Sequence, residues 1–595
     1  MIAENLLLES KTVSLSQYNA ARELELYLGS PFVAENTLSF QNAAALDEEE
    51  IFPKECIKTL HDWGFNHYYI PESLGGKLRS FDELLLLTRV VSRRDLSVAI
   101  TDAHTLLGSI PVWIGGTDEQ KEAQAAAISE RKAACLAVTE RAHGSDLNAS
   151  TFMAHKTENG YKVTGEKWPI NKATLTDKLC VLARTNEQKS ARSLSILLID
   201  KSKTKASEFH HLPKIKTLGI RSCDISGIVF DKAEISSDAL IGKEGDGLEL
   251  TLKGFQITRS LCAGLSLGAV DTALRTTLRL ALDRNLYGAT VVEIPHARTT
   301  LATTFIDILM CDCVAIASAR GLHVATKQFS VWSAVAKNYV PIKSEKIFQN
   351  LSVILGSRYY FRDNHDSGVF QKMQRDNAII SLFDGSTLIN LSALSLQLRF
   401  LVTKRKAEKN PDKLFAHLSA IFNLREDLPE FNYSKLDLFS KGNNWVLQGL
   451  EPIVNKLDNM SVIPDETTAE IFNEIKKNAF SLLEVLNQLE EKILQLDPIE
   501  NGHHLPPAYF EVANEYCDIH TAACCLYMWF FNKDHLGDYF SKGEWLVLSL
   551  QKTISHLKHT KIELNKNYVE NAMIELLRLH ENDLLFSCIP FQTNN

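Results

Sequence analysis

Glu158-Asn159-Gly160-Tyr161-Lys162-Val163-Thr164 is the stretch on which the architecture turns. A turn signal runs straight into Tyr161 and Val163 alternating with Lys162 and Thr164, the period-2 pattern of a half-buried strand. Leu194, Ile196 and Leu198 keep the same period, and Ile228-Val229-Phe230 is a short β-rich run. Residues 131–240 therefore read as a mostly antiparallel β domain.

On both sides the pattern is helical. Upstream, in residues 1–130, Leu84 to Leu87 and Val90-Val91 sit in a polar frame, and Gly75-Gly76 and Gly115-Gly116 punctuate it. Downstream of Gly247, Leu267, Val270, Leu274, Leu278 and Leu282 recur at steps of three and four, one apolar helical stripe. This helical domain spans 241–403. A charged stretch, Lys404-Arg405-Lys406 through Asn410-Pro411-Asp412, reads as a solvated linker. Residues 412–595 are helical again, with a stripe of Ile471, Ile475, Leu482, Leu486, Leu489 and Ile493 and Asp465 as its N-cap. The predicted class is α+β and mostly α, in the order α, β, α, α.

Composition agrees. The 595 residues carry 28 Gly and 16 Pro, about 7% together, against a usual total near 12%. Hydrophobic residues are 45% and the net charge is −9. That excludes disordered and collagen-like classes and gives no global attraction to nucleic acid. The eleven cysteines form no CxxC pair, so neither a disulfide framework nor a metal site is expected. The first residues lack a signal peptide's basic and apolar regions, and no run of about 18 apolar residues forms a transmembrane segment. The expected location is cytoplasmic.

Four motifs carry bland readings. Gly264-Leu-Ser-Leu-Gly268 fits the hydrolase pattern G-x-S-x-G, but lies inside the helical stripe, where small residues let helices approach closely. Gly242 to Gly247 reads as a strand-to-helix turn without a phosphate-loop lysine. Cys311 and Cys313 on one helix point to different sides. His210-His211 and His503-His504 read as surface pairs.

Five ordered blocks over about residues 40–403 carry a resemblance. Leu136-Ala-Val-Thr-Glu-Arg-Ala-His-Gly-Ser-Asp146 resembles the TEPGAGSD signature of the acyl-CoA dehydrogenase family. Gly165-Glu-Lys-Trp168 resembles its G-x-K-x-W strand. Leu218-Gly-Ile-Arg221 with Gly227 to Ile235 resembles LGxR…VFEDVxVP. Asp283-Arg284-Asn-Leu-Tyr287-Gly288 resembles ERxxFG. Arg375-Asp376 and Phe383-Asp384-Gly385-Ser386 resemble RD…YEGT. The resemblance implies a helical N-terminal domain, a β-barrel-like middle domain and a helical domain carrying a base. It also implies FAD and a fatty acyl thioester, of CoA or an acyl carrier protein. Residues 412–595 resemble in position the added helical domain of the family's long members.

Removing two hydrogens from a Cα–Cβ bond needs a base for the α-proton and an acceptor for the β-hydride, and hydrogen bonds to the thioester carbonyl stabilise the enolate. By resemblance the base is Asp384. The family's alternative base position is Thr258 here, beside Arg259. Flavin contacts fall by resemblance on Thr139, Ser145, Trp168, Ile170, Arg284, Tyr287, Gly356 and Ser386; substrate contacts fall on Ser145, Thr258, Arg259 and Gly385. Several positions depart from the pattern: Ile170 stands for a threonine, Val353 to Tyr359 lacks the Gln and two glycines of QxxGGxG, Pro295-His296 falls where a Gln is expected, and Leu388 replaces another Gln. Asp is one methylene shorter than Glu, about 1.5 Å less reach. Nitroalkane oxidases on this fold use aspartate, so two alternatives stay open: a flavin oxidase of nitroalkane or acyl-CoA oxidase type, or a non-catalytic scaffold. The resemblance further implies a homodimer, with an electron-transfer flavoprotein or O2 as electron acceptor.

Overall fold

The computed structural model describes residues 15–595 except 189, 364, 409, 461–465, 500, 501, 503 and 562. The chain start read for a signal peptide, the predicted cap Asp465 and His503 lie outside the described residues.

The N-terminal unit is helical: α1 (Asn19–Leu28), α2 (Phe40–Glu48), α3 (Lys54–Trp63), α4 (Phe81–Ser92), α5 (Leu96–Gly115) and α6 (Asp118–Ser129). Every residue of α4 is buried, as its polar-framed leucine run requires. The middle unit holds β1 (Ala134–Ala137), β2 (Met153–Thr157), β3 (Gly160–Asn171), β4 (Lys178–Arg184), β5 (Leu194–Asp200), β6 (Phe209–Leu212), β7 (Ile225–Ser236) and β8 (Leu240–Ile241). The sheet runs β6-β7-β3-β2-β4-β5-β8, and β1 adds to β4. Pairing is antiparallel except that β1 and one residue pair of β2 run parallel to β4. Phe152, Val163, Val181, Ile199, Ile228 and Phe230 fill its own core. The turn Gly242 to Gly247 leads from β8 into α7, as read.

The third unit is built on α7 (Gly247–Asp283), with a small β9–β10 hairpin (Asn285–Leu286, Ala289–Thr290), then α8 (Pro295–Val324), α9 (Phe329–Leu355), α10 (Val369–Asn377), α11 (Thr387–Ser395) and α12 (Leu398–Ala407). Thirty of the 37 residues of α7 are buried. Gly264 and Gly268 sit where α7 crosses α4: a Cβ on Gly268 would lie 2.7 Å from the Arg89 carbonyl. The serine-hydrolase motif is thus a helix-contact face. By hydropathy α8 is long and apolar enough to cross a membrane, but 89% of that window is buried inside the protein. It is a core helix.

The rest comprises α13 (Pro411–Phe422), α14 (Trp445–Gln448), α15 (Leu450–Asp458), α16 (Glu466–Gln495), α17 (Pro507–Asn532), α18 (Asp538–Lys542), α19 (Glu544–Leu557) and α20 (Lys566–Glu581). Helices α17 and α20 pack on α8. The predicted linker is corrected here. Lys404-Arg405-Lys406 is the last turn of α12, and Arg405 turns inward to Glu490 of α16. A basic residue on the inner face of a helix is held by its carboxylate partner, which local sequence does not reveal. All eleven cysteines are free and buried.

Candidate active site

A cleft of about 670 Å³ opens between α5, the β domain, the loop 215–225, α7 and the segment joining α10 to α11. Helix periodicity supplies two walls: Ile100, His104 and Leu107 from α5, and Leu252, Phe255 and Arg259 from α7. A narrow apolar side pocket of about 50 Å³ leads off it. Tyr69, Leu84, Thr88 and Leu265 line that pocket, and Asp384, His104 and Phe383 are shared by both cavities.

Asp384 stands at that junction, in a turn built for it. Asp384 has φ 54° and Gly385 φ 85°, left-handed conformations that Asp tolerates and Gly adopts freely. Arg259 Nε donates to the Asp384 carbonyl at 2.7 Å, and Asn390 Nδ2 donates to the Gly385 carbonyl at 2.8 Å. A Cβ on Gly385 would lie 2.7 Å from Arg259 Nη2 and would have to displace that guanidinium, so the clamp adds to the preference for glycine that the φ sets. Arg259 thus binds the backbone of Asp384, leaving its carboxylate out of hydrogen bonding among the described residues. The N–H groups of Asp384, Gly385 and Ser386, at the head of α11, also engage no partner among them.

Three basic groups surround the carboxylate. Burial pulls Arg259 down to about 10, against the opposing charge of Asp384; it stays cationic at neutral pH. Lys337 is buried and donates to the Ile380 carbonyl, with its ammonium 4.8 Å from the Phe383 ring. Burial lowers its pKa, with Cys262 and Asp384 opposing. Burial also lowers His104, whose Nδ1 lies 2.7 Å from the Ile100 carbonyl.

The opposite wall comes from β3. Its register against β7 shifts between Lys167 and Ile170, which frees Trp168 and Pro169 from the ladder to line the cleft. Arg141 lies 4.1 Å over the Trp168 ring. Below, Lys167 is fully buried and reaches Glu140 at 2.8 Å and the Val138 carbonyl at 3.1 Å. Glu140 also accepts from Ser150 and the backbone of Thr151 and Phe152. Burial would raise the Glu140 carboxyl, but Lys167 and these donors hold it down to about 2. This staple fixes the loop that carries Thr139 and Ser145.

Two motif arginines prove to be braces. Arg221 and Arg375 both grip Asp47 of α2, at 2.5 and 2.6 Å. Asp376 accepts from the Ile220 N–H at 2.6 Å and pairs with buried Lys372, which also reaches Asp95. Together they tie the 215–225 loop and α10 to the N-terminal unit.

Of the residues expected at the site, Thr139, Ser145, Trp168, Ile170, Arg259, Asp384 and Gly385 meet in the cleft, and Thr258 lines the side pocket. Four do not line either cavity. Ser386 caps α11. Arg284, Tyr287 and Gly356 lie elsewhere in the single chain: the β9–β10 hairpin carries Tyr287 fully into solvent, and Gly356 ends α9 with open space about its Cα. The sequence reading missed Glu140, Lys167, His104 and Lys337. Only Glu140 and Lys167 sit inside quoted motifs, and their 27-residue separation gives no pairing signal. The cleft suits the ring end of a flavin: it has ligand size, largely apolar walls, and a buried Asn171 Oδ1 without a hydrogen-bond partner among the described residues. No group of His, Cys, Asp and Glu among the described residues could hold a metal.

Three family models match in chain order: the N-terminal domain of acyl-CoA dehydrogenase over residues 32–130, the middle domain over 135–233 and the C-terminal domain over 245–398. A probable acyl-CoA dehydrogenase of Mycobacterium leprae is 24% identical over 355 residues, 60% of this chain and 90% of that protein. An acyl-CoA dehydrogenase complexed with FAD from Bacillus anthracis has a similar fold at TM-score 0.66 and 15% identity, over 95% of this chain and 91% of that one. A prolyl acyl carrier protein oxidase, AnaB, is similar at TM-score 0.55 and 17% identity, over 63% and 96%.

Proposed function

The chain belongs to the acyl-CoA dehydrogenase family, FAD-dependent oxidoreductases acting on CH–CH bonds, and from that premise we propose that it converts a short acyl thioester to its 2-enoyl thioester, with Asp384 as the base. The observation that carries this reading is the position of Asp384 at the junction of the cleft and the apolar side pocket. A thioester whose tail fills the side pocket puts its α-carbon beside that carboxylate. When bound, the flavin supplies the hydride acceptor; Thr139, Ser145, Trp168 and Ile170 would hold its ring. Asp384 accepts the α-proton, and Arg259 keeps the Asp384 turn in place without taking up the carboxylate. The unengaged N–H groups of Asp384 and Gly385, which line the cleft, would polarise the thioester carbonyl as enolate charge develops. Leu252, Phe255, Ile379 and Phe383 exclude water from the reacting atoms.

The side pocket argues for a short tail. It is small, and Tyr69 in its wall is pinned by a 2.8 Å hydrogen bond to buried Asp102, itself held by His61. Anaerobic titration of the flavin-loaded enzyme should bleach its yellow colour with butyryl thioesters and not with palmitoyl thioesters. Leu84→Ala should move the preference toward longer chains. A purified chain that stays colourless with added FAD would overturn the enzyme reading, and peroxide formed on turnover would favour the oxidase alternative that the shorter aspartate suggests. Comparing one acyl group on CoA and on an acyl carrier protein decides the carrier.

The working unit is a homodimer in this reading. Arg284, Tyr287 and Gly356 match flavin-contact motifs yet do not line their own cleft, and exposed apolar side chains cluster in the same part of the chain, at Val353, Tyr360, Leu382, Leu388 and Phe400. A second copy would cover this surface and supply these residues to its partner's flavin. Light scattering should then give twice the chain mass. A monomer that binds FAD fully would rule this out.

A further inference from the structure

A second, polar cavity of about 470 Å³ lies where the α8–α9 corner meets α12, α13 and the 435–445 segment. It shares no residue with the dehydrogenase cleft. Lys327, Lys404, Lys413 and Lys435 line it, all exposed. None of the four ammonium groups has an ion-pair or hydrogen-bond partner among the described residues, and Glu408 is the single carboxylate of the lining. Four like charges about one concavity repel one another, and the low-dielectric walls focus their field. The concentration is local, because the whole chain carries −9.

The wall of the cavity supplies further observations. Helix α13 presents Asn410, Lys413, Leu414 and His417 along one face, starting from its N-terminal turn. The His417 imidazole stacks on Trp445 at 3.8 Å and 3°. Its Nε2 is buried and has no hydrogen-bond partner among the described residues, a group that normally finds one. The cavity volume falls within the roughly 300–1,000 Å³ of small-molecule sites.

We propose that this cavity binds a small phosphorylated anion, with Lys327, Lys404, Lys413 and Lys435 holding its phosphate oxygens beside the stacked pair of His417 and Trp445. Lys404 belongs to the basic triplet that local sequence marks as a connector. The fold divides that triplet, sending Arg405 into the protein and Lys404 to this cavity.

The test is calorimetric titration of the FAD-loaded full chain with pyrophosphate and, separately, ADP. Trp445 provides a fluorescence readout, checked with Trp445→Phe. At least one of the two anions should bind saturably, more weakly as salt rises. The double variant Lys404→Ala/Lys413→Ala should weaken binding about tenfold or more, the scale of lost charge-assisted hydrogen bonds. Turnover of acyl-CoA should be unchanged in this variant. Tighter binding of ADP than of pyrophosphate would identify a nucleotide, and equal binding a phosphate group alone; both support the site. The proposal is overturned if neither anion binds in the millimolar range, or if the double variant binds as the parent does. It is equally overturned if that variant's only defect is turnover of a carrier-protein thioester, which would make the lysines a protein-docking surface.

Discussion

Asp384 satisfies two demands that the sequence alone sets against each other. In the proposed function, the turn aspartate before glycine is also the base. The φ of 54° is a conformation that Asp and Asn adopt far more readily than Glu, so the shorter side chain goes with the backbone it occupies. That separates the effects of two substitutions. Asp384→Asn keeps the turn and removes the base; turnover should fall by at least about 100-fold, the lower bound for losing a general base, while FAD stays bound. Asp384→Glu restores the family's base but asks Glu to hold a left-handed φ and moves the carboxylate by about 1.5 Å; it should also lose activity. Stopped-flow flavin reduction measures both. Retained reduction in Asp384→Asn would remove Asp384 from the base role.

Elements placed by periodicity were legible in the sequence, and elements placed by charge were not. The stripe from Leu267 to Leu278 is buried in α7, and the alternation at Tyr161 and Val163 is β3, because one face of each must be apolar whatever its neighbours. The staple between β3 and the 139–152 loop has no such signature, since Glu140 and Lys167 meet only through the fold. Arg405 was misread for the same reason. Arg284, Tyr287 and Gly356 were legible as motif positions, but their distance from the cleft within one chain was not. The staple makes its own prediction. Glu140 is depressed in the folded state to about 2, from about 4.3 unfolded. Its contribution is therefore complete above about pH 4.3 and is lost as pH falls toward 2, on the order of 3 kcal/mol at most. Urea denaturation should show Glu140→Gln clearly less stable than the parent at pH 7, where the substitution leaves the buried Lys167 ammonium without a counter-charge, with the gap narrowing toward pH 2. A gap independent of pH would mean that the pair does not set the titration.

At the scale of the whole molecule, the region beyond residue 398 is woven into the dehydrogenase core. The chain's last residues return between α4, α7 and α8. Arg89 donates to the Phe586 carbonyl at 2.6 Å and to Asp312 at 2.7 Å, and Arg275 donates to the Leu584 carbonyl at 2.9 Å with its guanidinium 4.1 Å over the Phe586 ring. Asp312 accepts from Ser587 and the Cys588 N–H, and Asp271 accepts from the Phe586 N–H. The Arg89, Arg93, Asp271 and Asp312 side chains are almost wholly buried, and burying ions is tolerable only where each is paired and hydrogen-bonded. Deleting residues 584–595 would leave those ions in place and remove part of their partners. The expected cost is about 3–5 kcal/mol, the scale of breaking a buried ionic network from one side, and it should be felt by the cleft because α7 carries both. The truncated chain should therefore melt well below the parent and release FAD in the same transition, followed by flavin fluorescence during heating. If the extension were only appended, the truncated chain would melt and release FAD at the parent's temperature.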